Sequence, residues 1–297
     1  MPAIAVLGSG GVGGFLAAAL AHAGAEVVLI AREDSAQLIA DRGLVVRSAV
    51  LGDFTARPRV QSRLTDRVDF VLVATKAGGL RGALERVVAE PGLVVPLLNG
   101  LEHMVPLRSR FGDGVRAGVI RIESDRPLPG QIVQSSPSAR VDLAGRAASA
   151  LELAASLEQA GLEARTGDSE AQVLWSKLAR LNPLALTTSA SDRPLGFVRS
   201  DPRWRSALAG AVDETVAVAR AEEAALDAAT TLAELDGLHF ELGSSMQRDI
   251  AHGREPELDA IAGAVLRAGA RHGLPCPTVR WLADRVAARA GIAPPSA

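Results

Sequence analysis

One lysine, Lys177, lies on the apolar face of a predicted helix. The stretch EAQVLWSKLARLNPLALTT, residues 170–188, has helical periodicity at about 100° per residue. The side chains that share the lysine's face are Leu174, Leu181, Leu184, Ala185 and Thr188. Because burial of an unpaired ammonium is costly, this side chain needs a partner, a crevice or a path for its head to reach water. In a crevice it could protonate an oxygen that gains negative charge, since an ordinary lysine pKa is about 10.4.

A glycine-rich loop follows the first predicted strand. In IAVLGSGGVGGFLAAAL, residues 4–20, the spacing G-x-G-x-x-G stands between a strand and a helix. The first glycine permits a tight turn, the second lets backbone approach a pyrophosphate, and the third allows close packing of helix on strand. The helix N-terminus adds free N–H groups for phosphate. We interpret the loop as a dinucleotide site rather than a structural turn. The candidate cofactor-binding residues are Gly8, Ser9, Gly10, Gly11, Val12 and Gly13.

The end of the second predicted strand indicates which dinucleotide is preferred. An NAD site usually places Asp or Glu there to accept from the ribose 2′-OH. The sequence EVVLIARED, residues 26–34, places Arg32 there instead, and a guanidinium suits the 2′-phosphate of NADPH. We therefore expect NADPH as the cofactor. Two alternatives stay open: Glu33 or Asp34 could turn inward and hold a ribose, or Arg32 could be solvated or paired with those acids.

The order of predicted elements indicates two domains of different class. Apolar strands alternate with helices in the first half, which is typical of a parallel sheet covered on both faces. Around residue 167 the pattern changes, because Ser169 and Gln172 have capping-box spacing and nearly everything beyond is predicted as helix. We expect an α/β Rossmann-like parallel-sheet domain over 1–167 and an all-α helical domain over 168–297. The predicted strands are 4–8, 26–31, 68–75, 93–100, 118–123 and 139–145. The predicted helices are 14–24, 147–161, 169–190, 202–225, 229–236, 241–252, 257–272 and 277–290.

The composition argues against several classes of protein. The 297 residues have a formal net charge of −2, so neither nucleic acid nor an anionic membrane is an expected partner. No apolar run reaches the roughly 18 residues of a membrane-spanning helix, and no signal-peptide pattern is present. The lone cysteine, Cys276, fits a reducing compartment, so we expect a cytoplasmic protein. The histidines lack metal-ligand spacing, so no metal is expected. A homodimer is compatible with the sequence, which does not itself indicate an oligomeric state.

Six sequence blocks, in order, resemble the ketopantoate reductase (2-dehydropantoate 2-reductase) family over nearly the whole chain. They are VLGSGGVGG with the trailing Arg32, VATKA with Lys76, LLNGLEH with Asn99, LWSKLARLNPLAL with Lys177, SSMQRD with Ser244 and Ser245, and EPELDAIAGAVLRAGARHGLPCPT with Glu257 and Asp259. The resemblance implies a Rossmann domain and a helical domain of the 6-phosphogluconate dehydrogenase C-terminal type, with the active site in the cleft between them. It implies NADPH-dependent reduction of a 2-oxo acid to a 2-hydroxy acid. The family reaction, ketopantoate to pantoate, belongs to pantothenate biosynthesis.

The resemblance also implies roles for five residues. Lys177 protonates the forming alkoxide, and Glu257 lies near it as the second catalytic candidate. Asn99 and Lys76 lie near both cofactor and substrate, Glu257 also contributes to the cofactor site, and Ser245 binds the substrate carboxylate. The residues alone leave alternatives open. These are an Asn-Gly turn at Asn99, a solvated strand-end Lys76, helix capping by Ser245 and first-turn helix stabilisation by Glu257.

The chain departs from the family pattern on the face of the lysine. Family members usually carry asparagines four and eight residues after it, where this chain has Leu181 and Ala185. Asn182 lies about 140° around the helix and replaces neither unless Pro183 rewinds the helix locally. Thr188 returns to the lysine face as a candidate substrate-binding hydroxyl. The apolar replacements favour a 2-oxo acid with a more apolar tail. The alternatives are therefore a D-2-hydroxyacid dehydrogenase-like reductase for such an acid, and a non-catalytic protein that binds or senses NADPH.

Overall fold

The computed structural model describes residues 2–296, and the chain divides into two compact units. The first unit consists of Met1–Leu98 and His103–Val173, and the second of Asn99–Glu102 and Leu174–Ala297. The second unit therefore includes a short segment that interrupts the first unit in sequence. The sequence pattern set the domain change at 167/168 and left this segment in the first domain, because strand and helix periodicity does not report which unit a loop contacts.

The first unit contains the strands of the protein and its first five helices, as far as the structure describes them. The strands are β1 (Ala3–Leu7), β2 (Glu26–Ile30), β3 (Leu44–Ser48), β4 (Gly52–Ala56), β5 (Arg59–Gln61), β6 (Phe70–Val73), β7 (Leu93–Pro96), β8 (Gly118–Arg121), β9 (Ser124–Asp125), β10 (Gln131–Gln134), β11 (Arg140–Leu143) and β12 (Glu163–Thr166). The helices are α1 (Gly11–His22), α2 (Glu33–Arg42), α3 (Leu80–Leu84), α4 (Met104–Phe111) and α5 (Ala148–Gln159).

The central sheet is parallel throughout, which confirms the predicted fold class. Its strand order is β5-β2-β1-β6-β7, and each neighbouring pair runs parallel. Strands β6 and β7 are buried at every position, which explains their continuous apolar sequences. The order of strand addition reverses at β1. The loops after β1 and β6 therefore lie at a topological switch point, where ligands bind in open α/β sheets.

Two smaller sheets in the first unit were not predicted as such. Their orders are β4-β3-β10-β9 and β12-β11-β8. Strands β3 and β10 bury only alternate residues, so their sequences lack the continuous apolar run of the central strands. Strands β5 and β9 are too short for periodicity to register.

Helix α1 is buried around most of its circumference because two sheets pack against it. It contacts β1 and β2 of the central sheet and β3, β4, β9 and β10 of the second sheet. Its residues from Gly13 to Leu20 are all buried, as expected for a helix that is apolar on every side. A Cβ atom at Gly14 would clash with Ile132 of β10. The glycines after the first turn therefore permit close packing as well as ligand approach.

The described part of the second unit is helical. Its helices are α6 (Glu170–Ser191, which starts in the first unit), α7 (Leu195–Ser200), α8 (Pro202–Ala221), α9 (Ala228–Asp236), α10 (Ser245–Ala251), α11 (Ala264–Arg271) and α12 (Pro277–Ala290), with a π-helical turn at Asp259–Gly263. Helix α8 packs against α7, α9, α11 and α12. It begins where the Asp201 carboxylate accepts from the Arg203 and Trp204 N–H groups, at 3.0 and 3.1 Å. Within residues 2–296, no helix has both the length and the hydropathy needed to cross a bilayer.

Candidate active site

The glycine loop has the backbone geometry that its sequence predicts. Gly8 has a φ of +112°, and a Cβ atom there would lie 2.8 Å from the Ala74 carbonyl oxygen. A Cβ atom at Gly13 would clash with the Gly8 carbonyl oxygen, so α1 packs directly on the turn. At Gly10 the Cβ position has open space, with no described atom beyond its own neighbours within 4 Å. The loop is therefore tight where chain meets chain and open where a pyrophosphate would approach.

The remaining loop residues begin helix α1. Ser9, Gly10, Gly11 and Val12 are half-buried, and the Gly14 N–H donates to the Gly10 carbonyl at 2.8 Å to close the first turn. The first N–H groups of a helix have no partner within it and can bind a phosphate. The start of α1 therefore has the geometry that an anion-binding loop requires.

Two buried polar atoms at the carboxyl edge of the central sheet have no hydrogen-bond partner among residues 2–296. They are Thr75 Oγ1, just after β6, and Gln61 Oε1, at the end of β5. The Thr75 methyl group lies 3.0 Å from the Cβ position of Gly8, so this threonine adjoins the glycine loop. Unpartnered buried polar atoms are rare in folded proteins, and a bound ligand is one explanation for them. Together with the space at Gly10, they fit a dinucleotide on this edge.

Arg32 and the neighbouring acidic residues make different contacts at the end of β2. Arg32 is exposed, and among the described residues no ion pair or hydrogen bond joins its side chain to Glu33 or Asp34. Glu33 instead pairs with Arg86, whose Nη1 and Nη2 atoms lie 3.0 and 3.2 Å from its two carboxylate oxygens. The hydrogen bond from Arg86 holds the pKa of Glu33 below its ordinary value. The alternative in which Arg32 pairs with its acidic neighbours is not observed.

Lys76 follows Thr75 at the switch point. It is exposed and immediately precedes a 3₁₀ turn, Ala77–Gly79. This position is at the edge where a ligand of the central sheet would lie. The role of Lys76 toward cofactor and substrate stays a prediction.

Lys177 is half-buried on helix α6. Leu181 and Leu184 are half-buried with it, whereas Leu174 and Ala185 are buried, so the predicted apolar face is confirmed. Positions 177, 181 and 184 thus form a half-buried stripe along the helix, and Ser176 and Arg180 beside it are half-buried as well. The role of Lys177 toward a substrate stays a prediction.

Asn182 does not replace the missing asparagines. It is fully buried, and its Nδ2 atom donates to Thr215 Oγ1 of α8 at 2.9 Å. Helix α6 stays α-helical across Pro183, so no local rewinding turns Asn182 toward the lysine. Ala185 is fully buried, whereas Leu181 is partly accessible. Of the two replaced positions, Leu181 is therefore the one open to a ligand.

The second unit brings together two of the predicted site residues, Asn99 and Glu257. Asn99 Nδ2 donates to Glu257 Oε2 at 2.9 Å, and both residues are half-buried. Gly100 follows with a φ of +84°, and a Cβ atom there would clash with the Ala260 carbonyl oxygen in the π-helical turn. The glycine therefore lets the loop after β7 lie directly on the turn that follows Glu257. The Asn-Gly pair forms a turn and also makes a side-chain contact.

Arg267 fixes this arrangement and was not found from the sequence. Its guanidinium donates to both carboxylate oxygens of Glu102 at 2.7 Å and to Asp259 Oδ1 at 2.8 Å. The hydrogen bonds that Arg267 donates to Glu102 and Asp259 raise its pKa further above its already high ordinary value. Arg267 thus ties the segment Asn99–Glu102 to the π-helical turn. No local pattern could reveal this contact, because Glu102 and Arg267 are 165 positions apart.

The two adjacent serines at the start of helix α10 have different environments. Ser244 caps the helix, because its buried hydroxyl accepts from the Gln247 N–H at 3.1 Å. Ser245 is exposed in the first turn, so the capping alternative applies to Ser244 and leaves the Ser245 hydroxyl available. Thr188 is fully buried and bonds to Ser244 Oγ at 2.9 Å and to the Leu184 carbonyl at 2.7 Å. Thr188 therefore supports Ser244, and direct contact with substrate would require these bonds to break.

The described residues give little support for a metal site or for a nucleophilic cysteine. Between residues 2 and 296, no three His, Cys, Asp or Glu side chains cluster as a metal would need. Burial, followed by the nearby Glu214 carboxylate, raises the pKa of Cys276 to about 11. At neutral pH this residue is a thiol and not a nucleophilic thiolate.

Comparison with known proteins places the chain in a family. Residues 4–146 match the family model described as ketopantoate reductase PanE/ApbA, and residues 171–290 match its C-terminal model. A 2-dehydropantoate 2-reductase of Caulobacter vibrioides is 31% identical over 289 residues, covering 93% of this chain and 95% of that protein. The crystal structure of 2-dehydropantoate 2-reductase from Geobacter metallireducens has a TM-score of 0.87 at 28% identity, over 95% of this chain and 98% of that one.

A second solved structure is a D-mandelate dehydrogenase. Its ternary complex with NADH and anilino(oxo)acetate has a TM-score of 0.87 at 26% identity, over 97% of this chain and 98% of that one. Both family models together extend from the glycine loop through Lys177 to Glu257 and beyond. On these matches the chain belongs to the ketopantoate reductase family of oxidoreductases.

Proposed function

We propose that this protein reduces a 2-oxo acid to a 2-hydroxy acid with a reduced nicotinamide dinucleotide, NADPH in preference to NADH. The observation that carries the proposal concerns its lysines. Of the 32 lysine and arginine residues in the sequence, only Lys76 and Lys177 are lysines. Both occupy predicted site positions. An arginine cannot release a proton at neutral pH, whereas a lysine can. A chain that otherwise uses arginine therefore keeps lysine where proton transfer requires it.

The cofactor would be held on the carboxyl edge of the central sheet. Its pyrophosphate would meet the backbone N–H groups around Gly10, and Thr75 Oγ1 would gain the hydrogen-bond partner it lacks. Arg32, which no neighbouring acid neutralises, would accept the 2′-phosphate of NADPH. The bound nicotinamide supplies the hydride.

Residues of the second unit would manage the charge that develops on the substrate. The Lys177 ammonium stabilises the oxygen of the reacting carbonyl and gives it a proton. Glu257 would supply a negative charge to the site, and the Asn99 amide fixes its carboxylate by a hydrogen bond at 2.9 Å. The exposed Ser245 hydroxyl donates to the carboxylate of the substrate.

The proposed substrate is a 2-oxo acid with an apolar tail. Leu181 and Leu184 are partly accessible beside Lys177, so this surface offers no amide to a hydroxyl-bearing substrate. A site lacking such a partner loses about 0.5–1.5 kcal/mol for each missing hydrogen bond. The D-mandelate dehydrogenase with the same fold supports this choice, because mandelate is a 2-hydroxy acid with a phenyl group.

Two other functions compete with this proposal. Reduction of ketopantoate is favoured by the name of the Caulobacter vibrioides relative. A protein that binds NADPH without turnover is favoured by Leu181 and Ala185, which replace the asparagines of the family pattern.

Initial rates with NADPH separate the three functions. The purified protein is tested with ketopantoate, phenylglyoxylate, 4-methyl-2-oxopentanoate and pyruvate, and the reaction is followed by loss of cofactor absorbance. The proposal expects the highest kcat/KM with one of the two bulky apolar acids. Highest efficiency with ketopantoate supports the family reaction instead. Tight NADPH binding with no turnover on any acid supports the binding protein.

A further inference from the structure

The contact between Arg86 and Glu33 has a consequence for cofactor choice, and the inference rests on the proposed dinucleotide site. Glu33 directly follows Arg32 at the end of β2, where dinucleotide-binding proteins place the residue that reads the adenosine ribose. A carboxylate there favours the 2′-OH of NADH, and a guanidinium there favours the 2′-phosphate of NADPH. This chain carries both groups in adjacent positions. The outcome depends on which of them is available.

Arg86 binds the Glu33 carboxylate, which is therefore not available to a ribose. Two parallel hydrogen bonds, at 3.0 and 3.2 Å, join the guanidinium to both oxygens of the carboxylate. This two-point geometry fixes the orientation of a carboxylate more firmly than a single bond does. Glu33 is ionised at neutral pH, as a carboxylate ordinarily is, and the hydrogen bond from Arg86 lowers its pKa further. The acid is therefore charged but already bound.

Arg86 is itself anchored to the sheet edge. Its Nη1 atom donates to the Ser62 carbonyl at 3.0 Å, and Ser62 directly follows β5, the strand that pairs with β2. The Arg86 side chain is 26% exposed, whereas that of Glu33 is 69% exposed. The less exposed partner thus determines the position of the more exposed one.

Stability alone does not explain the contact. An ion pair with one partner this exposed adds little to the free energy of folding, because water and salt screen it. The ion pair instead fixes the orientation of the exposed Glu33 side chain.

We propose that Arg86 is a specificity-determining positioning residue, which holds the Glu33 carboxylate away from the ribose so that Arg32 alone reads this end of the dinucleotide. Arg86 thereby suppresses NADH binding and leaves the site to NADPH.

Dissociation constants measured by calorimetry for NADPH and NADH test the proposal without any substrate or turnover. Arg86→Gln frees Glu33, which then accepts from the NADH ribose and repels the 2′-phosphate of NADPH. A hydrogen bond to a charged group corresponds to about 10- to 100-fold in affinity. We expect tighter NADH binding by up to that factor and weaker NADPH binding. Arg86→Lys keeps the charge but not the two-point geometry, so its NADH affinity falls between those of the native protein and Arg86→Gln.

Two further variants separate positioning from simple loss of charge. Arg63 also acts electrostatically on Glu33, but no hydrogen bond joins the two residues. Arg63→Gln therefore removes a nearby positive charge without releasing the acid, and we expect no gain in NADH affinity. In Glu33→Gln, adding Arg86→Gln should change NADH affinity by less than about twofold, because the group that Arg86 positions is already neutral.

Each outcome has a distinct meaning. Unchanged or weaker NADH binding in Arg86→Gln, with native thermal unfolding, overturns the proposal. The same gain in Arg63→Gln or in the Glu33→Gln background also overturns it, because general charge would then explain the effect. If the native protein binds neither dinucleotide, the proposed function is wrong and this inference is withdrawn with it. If the native protein binds both cofactors and NADH affinity rises only in the Arg86 variants, the proposed function and this inference are both supported.

Discussion

Asn99 donates a hydrogen bond to Glu257 at 2.9 Å, although the two residues are 158 positions apart. This bond and the contacts of Gly100 and Glu102 join Asn99–Glu102 to the helical unit, although the segment follows a strand of the central sheet. A residue of the loop after β7 is thereby fixed just before the π-helical turn. Two candidate site residues thus form one rigid pair before any ligand arrives.

Single and double substitutions of Asn99 and Glu257 should have different effects on activity and stability. Asn99→Asp places two carboxylates together, so we expect kcat/KM to fall by about 10- to 1000-fold, the range of a lost preorganised contact. The unfolding temperature should fall by a few degrees. The double variant Asn99→Asp with Glu257→Gln can restore the hydrogen bond with its partners exchanged. It should recover the unfolding temperature but not the activity, because the negative charge has moved. Full recovery of activity would show that only the bond matters.

Lys177→Ala should reduce turnover by about 10²–10⁴-fold, because the proposed general acid and its stabilising charge are both lost. The dissociation constant for NADPH should remain within about twofold, since the proposal assigns Lys177 to the substrate and not to the cofactor. Arg180→Ala is the matched control. It removes another half-buried cation of α6, one that lies 3.8 Å from Glu234, and it should leave turnover nearly unchanged. Equal losses in both variants would mean that Lys177 has only a structural role.

Arg267→Met should loosen the Asn99 segment. Arg267 makes charged hydrogen bonds to Glu102 and Asp259, but both acids are substantially exposed. We therefore expect a loss of about 1–2 kcal/mol in the free energy of unfolding by urea. The turnover number should fall more than NADPH affinity does. The comparison is Arg271→Met, which breaks an exposed pair with Glu222 and should change stability by less than about 0.5 kcal/mol. Similar effects in both variants would argue against a special role for Arg267.

Leu181→Asn should shift substrate preference toward ketopantoate. The new amide offers a hydrogen bond on the half-buried stripe beside Lys177, which corresponds to about 3- to 10-fold in relative kcat/KM. Ala185→Asn should behave differently, because Ala185 is fully buried and a larger side chain there costs about 1–3 kcal/mol of stability. The measurement is kcat/KM for ketopantoate relative to phenylglyoxylate. An unchanged ratio in a well-folded Leu181→Asn protein would place Leu181 away from the substrate.

Several features of this protein could be predicted from the sequence because their causes act over a few residues. The glycines at 8 and 13 follow from steric limits within one turn, and the apolar face of Lys177 follows from helical periodicity. The apolar runs of the central strands are also local patterns, and they indicated a parallel sheet covered on both faces. The one-sided strands β3 and β10 were missed, since their burial alternates and their sheet partners are distant in sequence.

Only the tertiary structure decided which distant groups meet. Glu33 pairs with Arg86 across 53 positions and Glu102 with Arg267 across 165, and no local pattern encodes either contact. The structure also assigned the cap of α10 to Ser244, with Thr188 behind it, and so left Ser245 exposed. Local sterics and periodicity are fixed by neighbouring residues, whereas the pairing of side chains depends on the path of the whole chain. The sequence therefore determined which residue types were available for the chemistry, and the fold determined which of them remain accessible for it.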